Sequence, residues 1–214
     1  MTAVATERLI EVKHPLVQHK LSYLREQDTP TVHFRKIANE VTLLLTYEAT
    51  KDFPTEDVEI ETPLERTTVQ RISGKKVAVC PVLRAGMGML DGVLSLVSGA
   101  RVGFIGLYRD EETLQPVEYY VKLPTDLEDR DAIVLDPMLA TGNSAAAAVG
   151  KVKAMGAKSV LLVSLVAAPE GIERLQEEHP DCTIVCASID RALNERGFIV
   201  PGLGDAGDRL YGTR

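Results

Sequence analysis

The chain has 214 residues, 45% of them hydrophobic and 26% charged, a composition that suits a single α/β domain with a full core. Its formal net charge of −7 argues against a general binder of nucleic acid or of anionic membranes, because both functions need a basic surface. The N-terminus lacks the apolar core of a signal peptide and no window approaches about 18 uninterrupted apolar residues, so we expect a cytoplasmic protein without membrane contact.

Two helices are predicted near the N-terminus, over 15–25 and 31–47. In the second helix, apolar residues recur at the spacing of one helical face and charged residues fill the other face. We interpret it as a helix that packs on the core. The alternative is a functional basic patch on its outer face, at His33, Arg35 and Lys36.

After these helices the pattern changes to short β-rich runs. Residues 58–61 and 67–72 alternate like half-exposed strands, whereas 77–80 is a continuous apolar run typical of a strand covered on both faces. A glycine-rich turn then leads into a helix predicted over 89–97. Arg84 lies in this turn, at the carboxyl edge of a strand, where ligands bind in open α/β sheets. Its alternative reading is a surface arginine near a helix start, although a cation there opposes the helix dipole.

Strands are also predicted over 101–108 and 115–122, with a polar segment between them that begins at Arg109. Charged loops are usually exposed, so the simplest reading of Arg109 is an exposed charge in an acidic hairpin.

The segment 132–149, AIVLDPMLATGNSAAAAV, predicts a strand, a loop and a helix start. Backbone N–H groups at the start of a helix lack internal partners and carry partial positive charge, so residues 141–144 could hold a phosphate. Asp136, at the end of the strand, could accept hydrogen bonds from sugar hydroxyls. Neither a Walker loop nor a dinucleotide fingerprint occurs here. The alternative is an ordinary strand-to-helix turn capped by threonine or serine.

The remaining chain alternates strand, helix and strand over 159–167, 169–178 and 183–188, which completes a doubly wound sheet with helices on both faces. The last segment, 197–212, is rich in glycine, and we predict an ordered loop without regular structure whose backbone approaches a flat ligand. Its apolar residues argue against the alternative of a disordered tail.

Cysteine and histidine spacing predicts neither a disulfide scaffold nor a metal site. The three cysteines have no C-x-x-C spacing, and Cys80 and Cys186 lie in apolar runs typical of buried strands. The four histidines form no H-x-x-x-H or H-E-x-x-H pair, so we predict no protein-ligated metal.

Three of these segments together resemble one family. The run Val-Leu-Asp-Pro-Met-Leu-Ala-Thr-Gly-Asn-Ser is similar to the loop that binds 5-phospho-α-D-ribose 1-diphosphate (PRPP) in type I phosphoribosyltransferases. Pro137 stands where most of that superfamily has a second acid, as in its uracil phosphoribosyltransferase branch. The Arg-Ala-Gly turn at Arg84 and the final Pro-Gly-Leu-Gly-Asp-Ala-Gly-Asp-Arg also resemble that branch, in the same order along the chain.

The resemblance implies an α/β fold with a mostly parallel doubly wound sheet, N-terminal helices, a protruding β-arm and a C-terminal hood. The arm would be the polar segment that begins at Arg109, and the hood would comprise about residues 190–214 of a single domain spanning 1–214. The implied reaction is attack of uracil on PRPP, which gives UMP and diphosphate in pyrimidine salvage, with Mg²⁺ carried mainly by PRPP.

The resemblance also implies roles for individual residues. Catalytic roles would belong to Arg84, Arg109, Asp136 and Asp205. These four would contact PRPP together with the loop residues Pro137, Met138, Leu139, Ala140, Thr141, Gly142, Asn143 and Ser144. Main-chain groups would read uracil at Ile199, Gly204, Asp205 and Ala206.

A homodimer or larger homo-oligomer is expected, and GTP is a candidate activator on the same resemblance. Two other functions stay open. One is an RNA-binding regulator of pyrimidine genes, which the acidic balance disfavours because phosphate contacts need a basic face. The other is a purine phosphoribosyltransferase, which the uracil-type hood disfavours.

Overall fold

The computed structural model describes residues 8–74, 77–109 and 116–213, without the side chains of Arg109 and Pro116. The first elements are a short strand, two helices and an antiparallel hairpin: β1 (Leu9–Glu11), α1 (Pro15–Arg25), α2 (Thr31–Ala49), β2 (Thr55–Glu61) and β3 (Arg66–Ile72). The hairpin forms its own two-stranded sheet, and most of its side chains face solvent.

The central sheet contains most of the remaining strands: β4 (Ala78–Leu83), β5 (Arg101–Val102), β6 (Phe104–Arg109), β7 (Pro116–Lys122), β8 (Asp131–Leu135), β9 (Met138–Leu139), β10 (Ser159–Ala167) and β11 (Thr183–Ile189). Its strand order is β1-β11-β10-β8-β4-β6-β7, with β5 beside β4 and β9 beside β10. The β6–β7 pair is antiparallel, and the other pairs of this sheet are parallel among the described residues. The mostly parallel sheet predicted from the sequence is confirmed.

Helices cover both faces of the sheet. They continue the chain as α3 (Met87–Leu96), α4 (Asn143–Ala154), α5 (Pro169–Glu178) and α6 (Ala206–Tyr211), with a small antiparallel pair before α6, β12 (Ala192–Leu193) and β13 (Ile199–Val200). One core cluster lies under α1, α2 and α3 and includes Phe34 and Met89. The other lies under α4 and α5 and includes Val149 and Leu175. The doubly wound arrangement follows from these two cores.

One prediction differs from the structure. The segment 197–212 is not free of regular structure, because it contains β13 and α6. The predicted arm is the polar segment that begins at Arg109, between β6 and β7. Residues 110–115 of this segment lie outside the described residues, so the arm stays a prediction. Among the described residues, the hairpin β2–β3 forms a sheet apart from the central one.

The three cysteines belong to one of the two core clusters. All three cysteine side chains are buried, and burial raises the pKa of each thiol to about 12. Within the described ranges, no group of three or more histidine, cysteine and carboxylate side chains is placed to hold a metal ion. None of the described helices combines the length and the hydropathy needed to cross a lipid bilayer.

Candidate active site

The site lies at the carboxyl edge of the parallel strands, where the loops after β4 and β8 meet the segment 190–213, which we call the hood. In open α/β sheets this edge is the usual place for a ligand, because loops from neighbouring strands converge there. The loop after β8, residues 136–142, leads into α4 and is called the phosphate loop below.

The phosphate loop is fixed to the sheet by main-chain hydrogen bonds. The Pro137 carbonyl accepts from the amides of Leu165 and Val166 at 3.1 and 3.2 Å, and the Leu139 carbonyl accepts from Ala168 at 2.9 Å. The Leu139 side chain is fully buried, so this residue can offer a ligand only its main chain.

Gly142 ends the loop and begins α4. Its φ of +81° is a conformation that other residues rarely adopt, and a side-chain carbon there would lie 2.8 Å from the Gly171 carbonyl oxygen. The Ala146 amide donates to the Gly142 carbonyl at 2.8 Å, so the amides of Asn143, Ser144 and Ala145 precede the first turn of intrahelical bonding. The helix start predicted for phosphate binding is therefore present, with Thr141 just before it.

Asp136 is the only acid of the phosphate loop, and it is partly buried. Burial raises its pKa from 3.8 to about 6, although a long hydrogen bond from the Met138 amide, 3.4 Å, acts in the opposite direction. The carboxylate is therefore held where ionisation is costly without a ligand. Hydroxyl groups of a sugar would supply the hydrogen bonds that it lacks.

Arg84 lies in the turn between β4 and α3, and its side chain is exposed. The Leu83–Arg84 peptide is cis. The Arg84 carbonyl accepts hydrogen bonds from the Met87 amide at 3.1 Å and from the Tyr211 hydroxyl at 2.9 Å. The turn is thus tied to the end of α6, and its guanidinium is left facing outward at the edge of the site.

The hood covers the edge of the sheet with short elements. Asp205 caps α6, because its Oδ1 accepts a hydrogen bond from the Asp208 amide at 2.9 Å, and Gly212 ends the helix with φ +65°. Ile199 and Ala206 are buried, at 4% and 2% exposure, so their side chains are in the core. Only their main chain remains to contact a ligand.

A cavity of about 250 Å³ separates the hood from the phosphate loop. Its lining joins residues of both walls and of the β4 turn: Ala85, Asp136, Pro137, Met138, Ala140, Gly197, Phe198, Ile199, Gly204, Asp205, Ala206 and Gly207. A larger cavity, about 560 Å³, lies on the other side of the hood and shares Gly204 and Asp205 with it. We place the site in the smaller cavity, because it contains Asp136 and all four predicted uracil-binding residues.

The structure therefore brings together one part of the predicted site. Arg84, Leu139, Thr141, Gly142, Asn143 and Ser144 do not line this cavity; they adjoin it through Ala85 and Ala140. Arg109 ends β6, but its side chain lies outside the described part of the chain.

Two residues of the site carried no functional prediction; their apolar character predicted burial, but each is 39% exposed. Phe198 lines the cavity and is 39% exposed, which makes it a flat apolar surface beside the ligand space. Tyr211 joins the hood to the Arg84 turn. In the sequence, Phe198 directly follows Gly197, and an aromatic residue beside the hood glycines could have indicated a contact with a flat ligand. The hydrogen-bond partner of Tyr211 depends on tertiary packing, which no local pattern encodes.

Comparisons with known proteins agree with this geometry. A family model described as uracil phosphoribosyltransferase matches residues 11–213. A uracil phosphoribosyltransferase of Clostridium botulinum is 61% identical over 207 residues, which cover 97% of this chain and 99% of that protein. The solved AQ2163 protein of Aquifex aeolicus superposes with a TM-score of 0.92 at 39% identity, covering 96% of this chain and 98% of that one.

A more distant solved structure shows the fold alone. The hypoxanthine phosphoribosyltransferase of Trypanosoma cruzi, complexed with the product IMP, has a TM-score of 0.51 at 10% identity and covers 74% of this chain and 76% of its own.

Proposed function

This chain belongs to the uracil phosphoribosyltransferase family, and from that premise we propose that it transfers the phosphoribosyl group of PRPP to N1 of uracil. The products are UMP and diphosphate, a reaction of pyrimidine salvage. The observation that carries the proposal is the single cavity that joins the phosphate loop to the hood. Such a cavity can hold a base on one wall and a ribose phosphate on the other.

The chemistry requires charge placement more than covalent catalysis. Uracil N1 forms a bond to C1′ of PRPP while the bond from C1′ to the diphosphate breaks, so positive charge develops on the sugar and negative charge on the leaving group. Arg84 is exposed at the edge of the site, where it can stabilise the departing diphosphate, and we assign the same role to Arg109. Asp205 lines the cavity and can face the cationic sugar.

The phosphate loop would hold the rest of PRPP. We assign the ribose hydroxyls to Asp136 and the 5′-phosphate to the main chain from Pro137 through Ala140 to Thr141, Gly142, Asn143 and Ser144. Two features support this assignment: the partly buried carboxylate of Asp136 and the unbonded first turn of α4.

The donor set fits Mg²⁺ that arrives on the substrate. Mg²⁺ commonly binds one or two carboxylates together with substrate phosphates, and Asp136 and Asp205 line the same cavity without forming a metal cluster of their own. When bound, Mg²⁺ supplies charge neutralisation of the diphosphate.

The base would be read by main-chain groups of the hood. Uracil has an N3–H donor between two carbonyl acceptors, whereas cytosine has an amine at position 4 and no N3 proton. Ile199 and Ala206 have buried side chains, which supports recognition through the backbone at Ile199, Gly204, Asp205 and Ala206. A site that leaves buried polar groups unpaired with the wrong base can discriminate by about 10⁴.

The direct test is UMP formation from labelled uracil and PRPP with Mg²⁺, compared with cytosine, hypoxanthine and adenine as substrates. We expect UMP with uracil and a rate at least about 10⁴ lower with each other base. Equal or faster turnover of hypoxanthine or adenine would overturn the assignment of the base.

Three finer features of the proposal concern the protein as a whole. Assembly into a homodimer or larger homo-oligomer is supported by exposed apolar side chains on α2 and the hairpin, such as Tyr47 at 72% and Leu64 at 94%. Activation by GTP and a cytoplasmic location rest on the family resemblance. Light scattering of the purified chain, and UMP formation with and without GTP, test the first two.

A further inference from the structure

A buried ion pair joins the end of α1 to the hood. Arg25, the last residue of α1, places its guanidinium against the carboxylate of Asp190, with Nη1–Oδ2 and Nη2–Oδ1 distances of 2.8 and 2.6 Å. The Asp190 side chain is only 2% exposed. A two-point contact of this kind between arginine and a carboxylate fixes orientation as well as charge.

The same pair holds the peptide groups of Gly202 from both sides. Asp190 Oδ2 accepts a hydrogen bond from the Gly202 amide at 2.8 Å, and Arg25 Nη1 donates to the Gly202 carbonyl at 2.7 Å. Ser188 Oγ donates to the other carboxylate oxygen at 2.9 Å. Asp190 is itself anchored, because its amide donates to the Ala167 carbonyl at the end of β10, 2.8 Å away.

Gly202 lies between the two parts of the proposed base-reading segment, Ile199 on one side and residues 204–206 on the other. It is in a tight turn, with φ +62°, and a side-chain carbon there would be 2.2 Å from the Ile199 carbonyl oxygen. A displacement of Gly202 would therefore be passed directly to Ile199 and to Gly204.

The contacts of Asp190 also favour its ionised form. Burial alone would raise the pKa of Asp190, but hydrogen bonds from Arg25, the Gly202 amide and Ser188 outweigh it and hold that pKa below its ordinary value. Neither Arg25 nor Asp190 lines the 250 Å³ cavity. Arg25 lines the larger cavity instead, and the contacts with Gly202 connect the pair to the base-reading segment through the hood backbone.

We propose that Arg25 and Asp190 are positioning residues for base recognition. By holding Gly202 on both sides, they set the main-chain groups of Ile199, Gly204 and Ala206 at the spacing that uracil requires. The identity of the base in this inference rests on the proposed function. The hydrogen bonds of Arg25 and Asp190 with Gly202, which we call the clamp, do not depend on it.

The test uses Arg25→Lys and Asp190→Asn in the full chain, with uracil and PRPP varied separately in measurements of UMP formation. Lysine keeps the positive charge but cannot make the two-point contact and also reach Gly202. We expect the uracil KM to rise by about 10- to 100-fold in both variants, since small displacements of positioning groups have effects of this size, while the PRPP KM stays within about twofold.

Arg130→Lys is the matched control. Arg130 makes a similar two-point contact with Asp126, at 3.0 and 2.8 Å, and its side chain is 7% exposed. It directly precedes β8 and so lies at the opposite edge of the sheet from the hood. This variant should lose stability as the others do, with both KM values unchanged.

A second readout does not depend on turnover. Hydrogen exchange of the amides of 199–206 should become at least about tenfold faster in Arg25→Lys and Asp190→Asn than in the control, because local opening of the hood becomes easier. If Asp190→Asn does not fold, the measurements on Arg25→Lys alone test the positioning role.

The outcomes separate this inference from the proposed function. If the unaltered chain forms UMP while the variants keep its uracil KM, the positioning role is wrong and the proposed function stands. If the unaltered chain forms no UMP, the proposed function fails, and unchanged hood exchange in the variants would overturn the clamp as well.

Discussion

The phosphate loop and the hood form opposite walls of one cavity, but the chain builds them differently. The phosphate loop continues the sheet, because β9 pairs with β10 and α4 begins directly after the loop. The hood has two strands of two residues each and a helix of six residues. So little regular structure cannot hold a loop by itself, and other contacts must fix it.

These contacts join the hood to α5 and to the end of α1, and one of them joins two residues of the hood itself. Glu170 Oε1, on α5, accepts from the Leu193 amide at 3.0 Å, and Arg25 binds Gly202 from the end of α1. Arg209 donates to the Leu203 carbonyl at 2.9 Å and to carbonyls at the end of α1, while its guanidinium lies 4.3 Å from the centre of the Phe34 ring.

This difference indicates how substitutions should affect phosphate binding and base recognition. In the proposed function, phosphate binding would depend on local backbone geometry within the packed sheet, so few side-chain changes could alter it without disturbing the fold. Gly142 is an example, since its conformation and its contact with α5 exclude a larger residue. The proposed base recognition would depend on polar contacts that fix the hood, and single substitutions there should change selectivity while the core remains intact.

The largest effect is expected from Arg84→Ala, in the turn after β4 that adjoins the cavity. Loss of a charge that stabilises the leaving group should lower kcat by roughly two to three orders of magnitude, with a smaller change in the uracil KM. Steady-state kinetics with both substrates varied would measure this. Arg101→Ala, at an exposed position at the start of β5, is the matched control. A change confined to the uracil KM would show that Arg84 acts on the base and not on the leaving diphosphate.

Asp136→Asn tests how much stability the protein loses when the partly buried carboxylate of Asp136 is ionised. Because the folded-state pKa of about 6 is above the ordinary value of 3.8, the ligand-free protein loses stability as pH rises from about 4 to about 6 and stays less stable at pH 7. The asparagine variant lacks this loss, so its free energy of unfolding at pH 7 should be higher by up to about 3 kcal/mol. Its PRPP KM should rise.

Urea denaturation across pH 4.5 to 8 would compare the two proteins, with exposed Asp28→Asn as a control for the loss of one charge. If the asparagine variant keeps the pH dependence of the unaltered chain, Asp136 is not the group responsible.

Ala206→Pro tests whether the backbone N–H of Ala206 takes part in base recognition by the hood. Ala206 is the first residue of α6, a position where proline is well tolerated, and Asp205 before it already has the extended backbone that proline favours. The substitution should therefore keep the fold and remove one N–H. We expect the uracil KM to rise by about 10- to 100-fold, the effect of leaving one buried group unpaired.

Ala206→Ser is the matched control, because it keeps the amide with little change in size. Unchanged uracil turnover in the proline variant, with cytosine still refused, would show that this amide does not read the base. Circular dichroism of both variants checks that α6 and the remaining helices are retained.

The phosphate loop and the elements on either side of it could largely be predicted from the local sequence pattern. The apolar run before Asp136 and the small residues after it predicted a strand, a loop and a helix start, and β8 and α4 confirm them. The hood was predicted as a segment, but α6 was missed because the glycine content outweighed its capping signals, Asp205 before the helix and Gly212 after it. The contacts of Arg25 with Gly202 and of Arg209 with the Leu24 carbonyl could not be predicted, because they join residues more than 170 positions apart.

The smallest effect is expected from Tyr211→Phe, which removes the described hydrogen bond between the hood and the Arg84 turn. The Tyr211 hydroxyl donates to a main-chain oxygen, so its loss should lower kcat/KM by less than about tenfold, in keeping with an exposed neutral hydrogen bond. The acceptor is still present in Arg84→Ala, so the two substitutions should have additive effects on kcat/KM if the walls act independently. A double mutant whose kcat/KM departs from additivity by more than about 0.5 kcal/mol would show that the hood and the Arg84 turn act as one unit, and the comparison of two separately built walls would then be wrong.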